Sequence, residues 1–199
     1  MKHQEMSERT IQKLIDSGIR LFAKYGYSNT SVDQIVKEAG MSKGAFYAHF
    51  KTKEEFLIKV LQDGISFYFK ELQELIGQEN QNLLDGFFKA STDMVARTYE
   101  KGFSAVLLHS AMTCRYLPQV QQLLATQMKE WRQDLTRLFE VMQKEGIIGS
   151  PLDAEILATT AMALFNGFHM QHYIDEEIDL MGMIEVFYEL LQVRQPEIK

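Results

Sequence analysis

Apolar residues recur along most of this chain at intervals of three and four positions, which is the spacing of one face of an α-helix. The first stripe consists of Ile11, Leu14, Ile15, Gly18, Phe22 and Tyr25. A second stripe runs from Val120 to Met142, and the segment from about Asp153 to Ile174 is apolar over much of its circumference. Alternating runs typical of strands are scarce. The pattern predicts an all-α chain of about nine helices.

Glycine and proline residues set the expected limits of the helices after residue 53. The prediction is a connecting helix through about Ile76, followed by helices over about Gln81–Glu100, Phe103–Arg115, Pro118–Gly146, Asp153–Ile174 and Leu180–Val193.

Residues 30–53, TSVDQIVKEAGMSKGAFYAHFKTK, contain the most informative local signals. Helix starts are indicated by a capping box of Ser31 with Gln34, by Ser42, and by a second capping box of Thr52 with Glu55. Gly40 closes the first of these helices, because a residue without Cβ suits the left-handed conformation that ends helices. The stretch predicts a helix-turn-helix followed by another helix.

The second of these helices has two different faces. Phe46 and Phe50 lie four residues apart and are expected to pack inward against Ile35 and Val36. The opposite face carries small residues, Gly44 and Ala48 among them, which permit close approach of another molecule.

Lys43 and Lys53 each occupy the first position of a helix, where the helix dipole repels a cation. An anion bound there reverses the repulsion, and phosphates bind at helix N-termini in this way. Ordinary solvated lysines are the alternative. Charge distribution favours DNA: residues 1–53 contain nine Lys or Arg against five Asp or Glu, and the remainder contains twelve against twenty-two. A head of net charge +4 on a body of −10 predicts binding through the head.

The chain resembles the TetR family of bacterial transcriptional regulators in LFAKYGY (21–27), TSVDQIVKEAG, MSKGAFYAHF and KTKEEFL, which cover roughly residues 7–60 without gaps. The resemblance implies a three-helix DNA-binding domain over residues 1–52 and a larger helical effector-binding and dimerisation domain over 53–199. It implies DNA contacts at Thr30, Ser31, Val32, Ser42, Lys43, Gly44, Ala45, Tyr47, Ala48, His49 and Lys53. Lys43 is the one suited to reading a base edge. Tyr47, His49 and Lys53 are expected on phosphates, although Tyr47 and His49 could instead complete the core.

The resemblance also implies a homodimer on a palindromic operator and a small, unidentified hydrophobic or amphipathic effector. The interface is expected at Ala158, Met162, Phe165, Phe168, Ile184, Phe187, Tyr188 and Leu191. Burial in the monomer core is the alternative for these residues. The candidate effector pocket consists of Met94, Tyr99, Phe103, Met112, Tyr116, Trp131, Phe165 and His169, each of which could instead be core filling.

Two other functions compete with DNA binding. His169 and His172 lie three residues apart and precede Asp175, Glu176 and Glu177, a spacing compatible with a metal-dependent sensor or hydrolase. A helical adaptor that does not bind DNA is the other. No nucleophile motif or phosphate-binding glycine loop occurs in the sequence, so we expect neither an enzyme nor a cofactor.

Composition adds expectations about location and redox chemistry. No apolar run approaches the ~20 residues of a membrane span, and MKHQEMSERT lacks the apolar core of a signal peptide, so the expected location is the cytoplasm. Cys114 is the single cysteine, which excludes an intramolecular disulfide and favours a packing role over redox sensing.

Overall fold

The structure is a computed structural model that describes residues 2–76, 83, 86–87, 89–93, 102–179, 182, 185–187, 189 and 191. Seven helices have complete bounds: α1 Lys2–Tyr25, α2 Val32–Glu38, α3 Lys43–Tyr47, α4 Lys53–Ile76, α5 Phe103–Thr113, α6 Pro118–Lys144 and α7 Ala154–Ile174. A short 3₁₀ turn, Cys114–Tyr116, separates α5 from α6. Further helical residues lie within 83–93 and 182–189.

These elements confirm the all-α prediction and bring the helices to nine, the expected number, with no β-strand among the described residues. The predicted limits at Ile76, Phe103, Pro118 and Ile174 agree with the observed ones. No helix within the described part of the chain is both long enough and apolar enough to cross a bilayer.

Local capping explains where the helices around the turn begin. The hydroxyl of Ser31 accepts from the N–H of Gln34 at 3.2 Å, and the Gln34 side chain accepts from the Ser31 N–H at 2.7 Å, which completes the predicted box. Ser42 caps α3 by accepting from the Ala45 N–H at 3.2 Å. Such caps satisfy N–H groups that have no partner within the helix.

The start of α4 differs slightly from the prediction. The hydroxyl of Thr52 accepts from the Glu55 N–H at 3.0 Å, as expected for an N-cap. The Glu55 carboxylate accepts from the N–H of Lys51 at 2.7 Å, one residue before the cap. Glu55 therefore stabilises the backbone of Lys51, just before the N-cap of α4, and not the N–H of the cap residue Thr52.

Two compact units make up the chain, and the first contains residues 1–66 and 98–125. Its core is aromatic: Phe46 and Phe50 pack on Phe56 with ring centroids 5.2 and 5.0 Å apart, and Phe22 packs on the same ring at 5.9 Å. Ile35, Val36, Phe46 and Phe50 are all buried, which confirms the predicted inward face. Tyr25 is the exception to the predicted α1 stripe, since it is exposed at the end of the helix.

Helix α5 belongs to this first unit because it packs against α1. Nδ1 of His109 lies 3.4 Å from the Phe22 carbonyl oxygen. The Phe103 ring lies so close to Gly64 of α4 that a Cβ at residue 64 would come within 2.1 Å of it. The two units are defined by packing and not by function. The boundary predicted after residue 52, between the DNA-binding domain and the effector-binding domain, therefore stays a prediction.

The second unit contains residues 67–97 and 126–199, and its core joins α6, α7 and the helical residues around them. The buried members are Leu83, Phe87, Leu135, Leu138, Phe139, Met142, Ile148, Ala154, Leu157, Ala158, Met162 and Leu191. This core corrects part of the predicted dimer interface, because Ala158, Met162 and Leu191 are covered by their own chain. Phe165, Phe168 and Phe187 are half-buried. Ile184 and Tyr188 lie outside the described residues.

Candidate nucleic-acid interface

The turn between α2 and α3 is held by the backbone. The N–H of Met41 donates to the Val36 carbonyl at 2.8 Å, and the N–H of Gly40 donates to the Lys37 carbonyl at 3.2 Å. Gly40 has a φ of 66°, the left-handed conformation that the sequence predicted for this position. The turn, together with the buried Phe46 of α3 and Phe50 just after the helix, fixes which side of α3 faces solvent.

Helix α3 and the residues directly beside it carry most of the residues predicted to contact DNA. Ser31, Ser42, Lys43, Gly44, Tyr47 and Ala48 are exposed, whereas Val32, Ala45 and His49 are half-buried. The Tyr47 side chain is 53% exposed, although its ring packs edge-on against Phe46. Gly44 has no side chain, so another molecule can approach the backbone of this surface closely. A Cβ built at Gly44 would contact only the Ser42 hydroxyl, at 3.6 Å.

Lys43 forms an ion pair with Asp33 of α2, with Nζ 2.7 Å from Oδ1. Both side chains are more than half exposed, at 59% and 64%. A surface pair of this kind contributes at most about 1 kcal/mol. The contact therefore orients the lysine beside α3 without preventing its transfer to another acceptor.

Lys53 has a structural environment that the sequence did not predict. Its Nζ donates to the carbonyl oxygens of Tyr27 and Thr30, each at 2.8 Å, and lies 4.2 Å from the centroid of the Tyr27 ring. Burial lowers the pKa of Lys53, and burial followed by the charge of Glu54 raises the pKa of Tyr27. Lys53 thus ties the start of α4 to the turn after α1, and its expected phosphate contact stays a prediction beside this structural role.

The environment of Thr30 corrects its predicted contact with DNA. Its side chain is 1% exposed, and its hydroxyl lies 2.8 Å from the carbonyl oxygen of Gly26 and 3.3 Å from that of Leu21. A hydroxyl held in this way cannot reach a phosphate, so Thr30 supports the turn from inside.

The described candidate effector residues belong to both compact units. In the first unit, Met112 and Tyr116 are 73% and 82% exposed, and Phe103 packs on Gly64, so the role of these residues in a pocket stays a prediction. In the second unit, the ring centroid of Phe165 lies 5.5 Å from that of Trp131 and 4.0 Å from that of His169. Met94 and Tyr99 lie outside the described residues.

The two histidines of the metal hypothesis have other environments. Nδ1 of His172 lies 3.1 Å from the Ile178 carbonyl oxygen. Nε2 of His169 is buried, and burial, followed by the charge of His172, lowers the pKa of His169 to about 4. Within the described residues no three His, Cys, Asp or Glu side chains come together as a metal site. The proposed acidic partners are therefore not assembled around the histidines.

One surface feature near α3 is not predicted by the sequence pattern. Arg9, Thr10, Gln12 and Lys13 of α1 line a cleft with Met41 of the turn, and the volume of the cleft is about 350 Å³. The apolar stripe of α1 indicates only its inner face, whereas the polar residues between the stripe positions form this outer surface.

Comparison with known proteins identifies this helix-turn-helix chain. Residues 14–60 match the profile described as bacterial regulatory proteins, tetR family. Residues 92–192, just over half of the chain, match the profile described as BetI-type transcriptional repressor, C-terminal. The arrangement of α2 and α3 defines a DNA-binding helix-turn-helix protein. The chain belongs to the TetR family of bacterial transcriptional regulators, which are transcription factors and not enzymes.

Individual relatives support the same family. The uncharacterized HTH-type transcriptional regulator YerO of Bacillus subtilis (strain 168) is 39% identical over 64 residues, which are 32% of this chain and 22% of YerO. The A-factor receptor protein of Streptomyces griseus is 24% identical over 189 residues, which are 92% of this chain and 63% of that protein. Each alignment covers less than two thirds of the relative.

Solved structures share the fold at low sequence identity. A transcriptional regulator from Rhodococcus sp. Rha1 has a TM-score of 0.76 at 19% identity, covering 93% of this chain and 99% of that one. The fatty acid degradation regulator FadR from Bacillus halodurans has a TM-score of 0.77 at 17% identity, covering 92% and 94%.

Proposed function

We propose that this chain is a ligand-responsive transcriptional repressor, which binds a palindromic operator as a homodimer and leaves it when a small hydrophobic or amphipathic effector binds. The exposed surface of α3 carries this proposal. On this surface the small residues Gly44 and Ala48 let another molecule approach the backbone closely. Lys43 and Tyr47 lie at its edges. The match of residues 92–192 to a repressor profile favours repression over activation. We propose the cytoplasm as the location, since a regulator of bacterial genes acts there.

The proposed DNA contacts are Ser31, Val32, Ser42, Lys43, Gly44, Ala45, Tyr47, Ala48 and His49. Lys43 is the residue best suited to guanine, because an ammonium donates to O6 and N7 in the major groove. Gly44, Ala45 and Ala48 have no polar side-chain atoms, so the remaining preference relies on thymine methyl groups and DNA shape. Lys53 holds the turn at residues 27–30 and is also proposed as a phosphate contact through its remaining N–H.

An apolar stripe on the exposed face of α7 supports the homodimer. Ile156, Ala163, Met170 and Ile174 are exposed, and their spacing of seven, seven and four residues aligns them along one side of the helix. Exposed apolar stripes of this kind mark association surfaces. We therefore propose this stripe as the dimer contact of α7, in place of its buried residues. A two-fold dimer requires half-sites about 34–36 Å apart, or a multiple of that distance.

The effector is proposed to contact the aromatic group of Trp131, Phe165 and His169. Aromatic side chains with a few polar ring nitrogens among them suit hydrophobic ligands that carry a polar end. Effector binding releases DNA only if the effector prefers one arrangement of the dimer, and such coupling is typically worth about 1–3 kcal/mol.

The test is DNA selection followed by measurement of affinities. A duplex recovered from a randomised pool by the wild-type protein is compared with duplexes that carry single base-pair changes. Lys43→Ala should remove discrimination at one base pair, a change of about 1–3 kcal/mol. Sedimentation with the recovered duplex should show two protein chains bound to each operator, one at each half-site.

Two control variants separate base reading from other effects. Asp33→Asn breaks the same ion pair but keeps the lysine, so it should preserve discrimination. Lys89→Ala removes an exposed lysine from the second unit and should change nothing. Recovery of no preferred sequence by the wild-type protein contradicts the proposed function. Unchanged discrimination in Lys43→Ala contradicts the contact assignment alone.

A further inference from the structure

The cleft between α1 and the α2–α3 turn has the composition of an anion site. Arg9 and Lys13 lie one helical turn apart and both line it, and none of the described residues that line it carries a carboxylate. Two like charges at this spacing repel each other. An anion bound between them would relieve that repulsion.

The other polar side chains that line the cleft form hydrogen bonds within α1, so Arg9 and Lys13 are the groups through which the cleft would bind an anion. The Thr10 hydroxyl donates to the Met6 carbonyl at 2.9 Å, and the Gln12 amide donates to the Asp16 carboxylate at 2.9 Å. Among the ion pairs formed by described side chains, none includes Arg9 or Lys13. Lys43, by contrast, already has a carboxylate partner.

The position of the cleft points to a particular anion. Met41 forms one wall and directly precedes Ser42, the N-cap of α3. A duplex that engages the exposed surface of α3 therefore passes beside the cleft. Arginine and lysine side chains are the usual protein partners of DNA phosphates.

We propose that Arg9 and Lys13 bind a backbone phosphate of the duplex engaged by α3, so that α1 is a third DNA-contacting element of the head. This inference rests on the proposed DNA-binding function and extends it to a helix that otherwise contributes core residues. Because the contact is with the backbone, it strengthens binding to every sequence equally and carries no base preference.

The experiment compares the double variant Arg9→Gln/Lys13→Gln with Lys24→Gln, which removes an exposed lysine from the opposite end of α1. Binding of the full chain is measured over a salt series, with the selected duplex and with a duplex of scrambled sequence. The double variant should bind both duplexes more weakly by the same factor. Its slope of log K against log salt should fall by about 0.9 for each phosphate that the protein no longer neutralises. Lys24→Gln should keep the wild-type slope.

A charge-conserving variant and a free-anion titration complete the test. Arg9→Lys/Lys13→Arg should retain the wild-type slope, which distinguishes charge from packing. An unchanged slope in Arg9→Gln/Lys13→Gln overturns the proposal. A calorimetric titration with inorganic phosphate alone identifies the other source: phosphate binding that disappears in the double variant, with an unchanged DNA slope, assigns the cleft to a small anion instead. Failure of the wild-type protein to bind any duplex would refute the proposed function itself.

Discussion

Replacing Lys53 by methionine tests whether this residue holds the head together or only supplies charge for DNA. Methionine keeps the length of the stem but removes the ammonium, and with it two hydrogen bonds of 2.8 Å and the contact with the Tyr27 ring. Hydrogen bonds to charged groups contribute about 1.5–3 kcal/mol each, and a cation–π contact about 0.5–1 kcal/mol at an exposed site. The ammonium is only half-buried, so solvent reduces the sum to roughly 2–3 kcal/mol.

Amide hydrogen exchange without DNA is the appropriate assay, because it reports opening of the turn at residues 26–31 separately from the rest of the chain. A destabilisation of about 2–3 kcal/mol corresponds to a fall in protection of about 30- to 150-fold. Lys51→Met is the matched control, since Lys51 is an exposed lysine two residues earlier. Equal protection of the turn in Lys53→Met and the wild type would refute the structural role. A reduced salt slope for DNA binding in that case would restore the phosphate contact.

Two further predictions concern packing and pH. Gly64→Ala brings a Cβ within 2.1 Å of the Phe103 ring, and overpacking of about 1–3 kcal/mol exceeds the gain of about 1 kcal/mol in helix propensity, so the melting temperature should fall. Gly167→Ala has no atom within 4 Å of the added Cβ and should be neutral or stabilising by comparison. Because the folded-state pKa of His169 is about 4, below the ordinary 6.5, the neutral form favours folding. The contribution of neutral His169 to the free energy of unfolding is complete above pH 6.5. This free energy decreases by about 3 kcal/mol as the pH falls towards 4. Urea unfolding followed by tryptophan fluorescence should show this component in the wild type, and an identical pH dependence in His169→Gln would contradict it.

The helix-turn-helix was predictable because the signals that specify it are local. The caps at Ser31 and Ser42 bond to an N–H three residues away, and Gly40 needs only its own backbone conformation. The burial of Phe46 in α3 was predicted from its spacing of four residues to Phe50, which is also buried although α3 ends at Tyr47. Interactions of this range can be read directly from the order of residues.

The surfaces of α7 were less predictable, because the helix is apolar on several sides. Periodicity identifies a buried face only where polar residues mark the opposite one. Ala158 and Met162 are covered by their own chain, whereas Ile156 and Met170 are exposed. The choice between core and partner surface depends on where α6 and the neighbouring helical residues pack.

The amino-acid sequence by itself determined the helical class, the helix limits at Ile76, Phe103, Pro118 and Ile174, the turn and the family, since each depends on residues near one another along the chain. Only the tertiary structure decided what individual side chains do when their partners are distant. Lys53 finds its acceptors 23 and 26 residues earlier, and the cleft joins Arg9 and Lys13 to Met41 across two helices. The sequence shows that a lysine carries a charge but not which group the charge contacts. That group is decided by the packing of α1, α2 and α4.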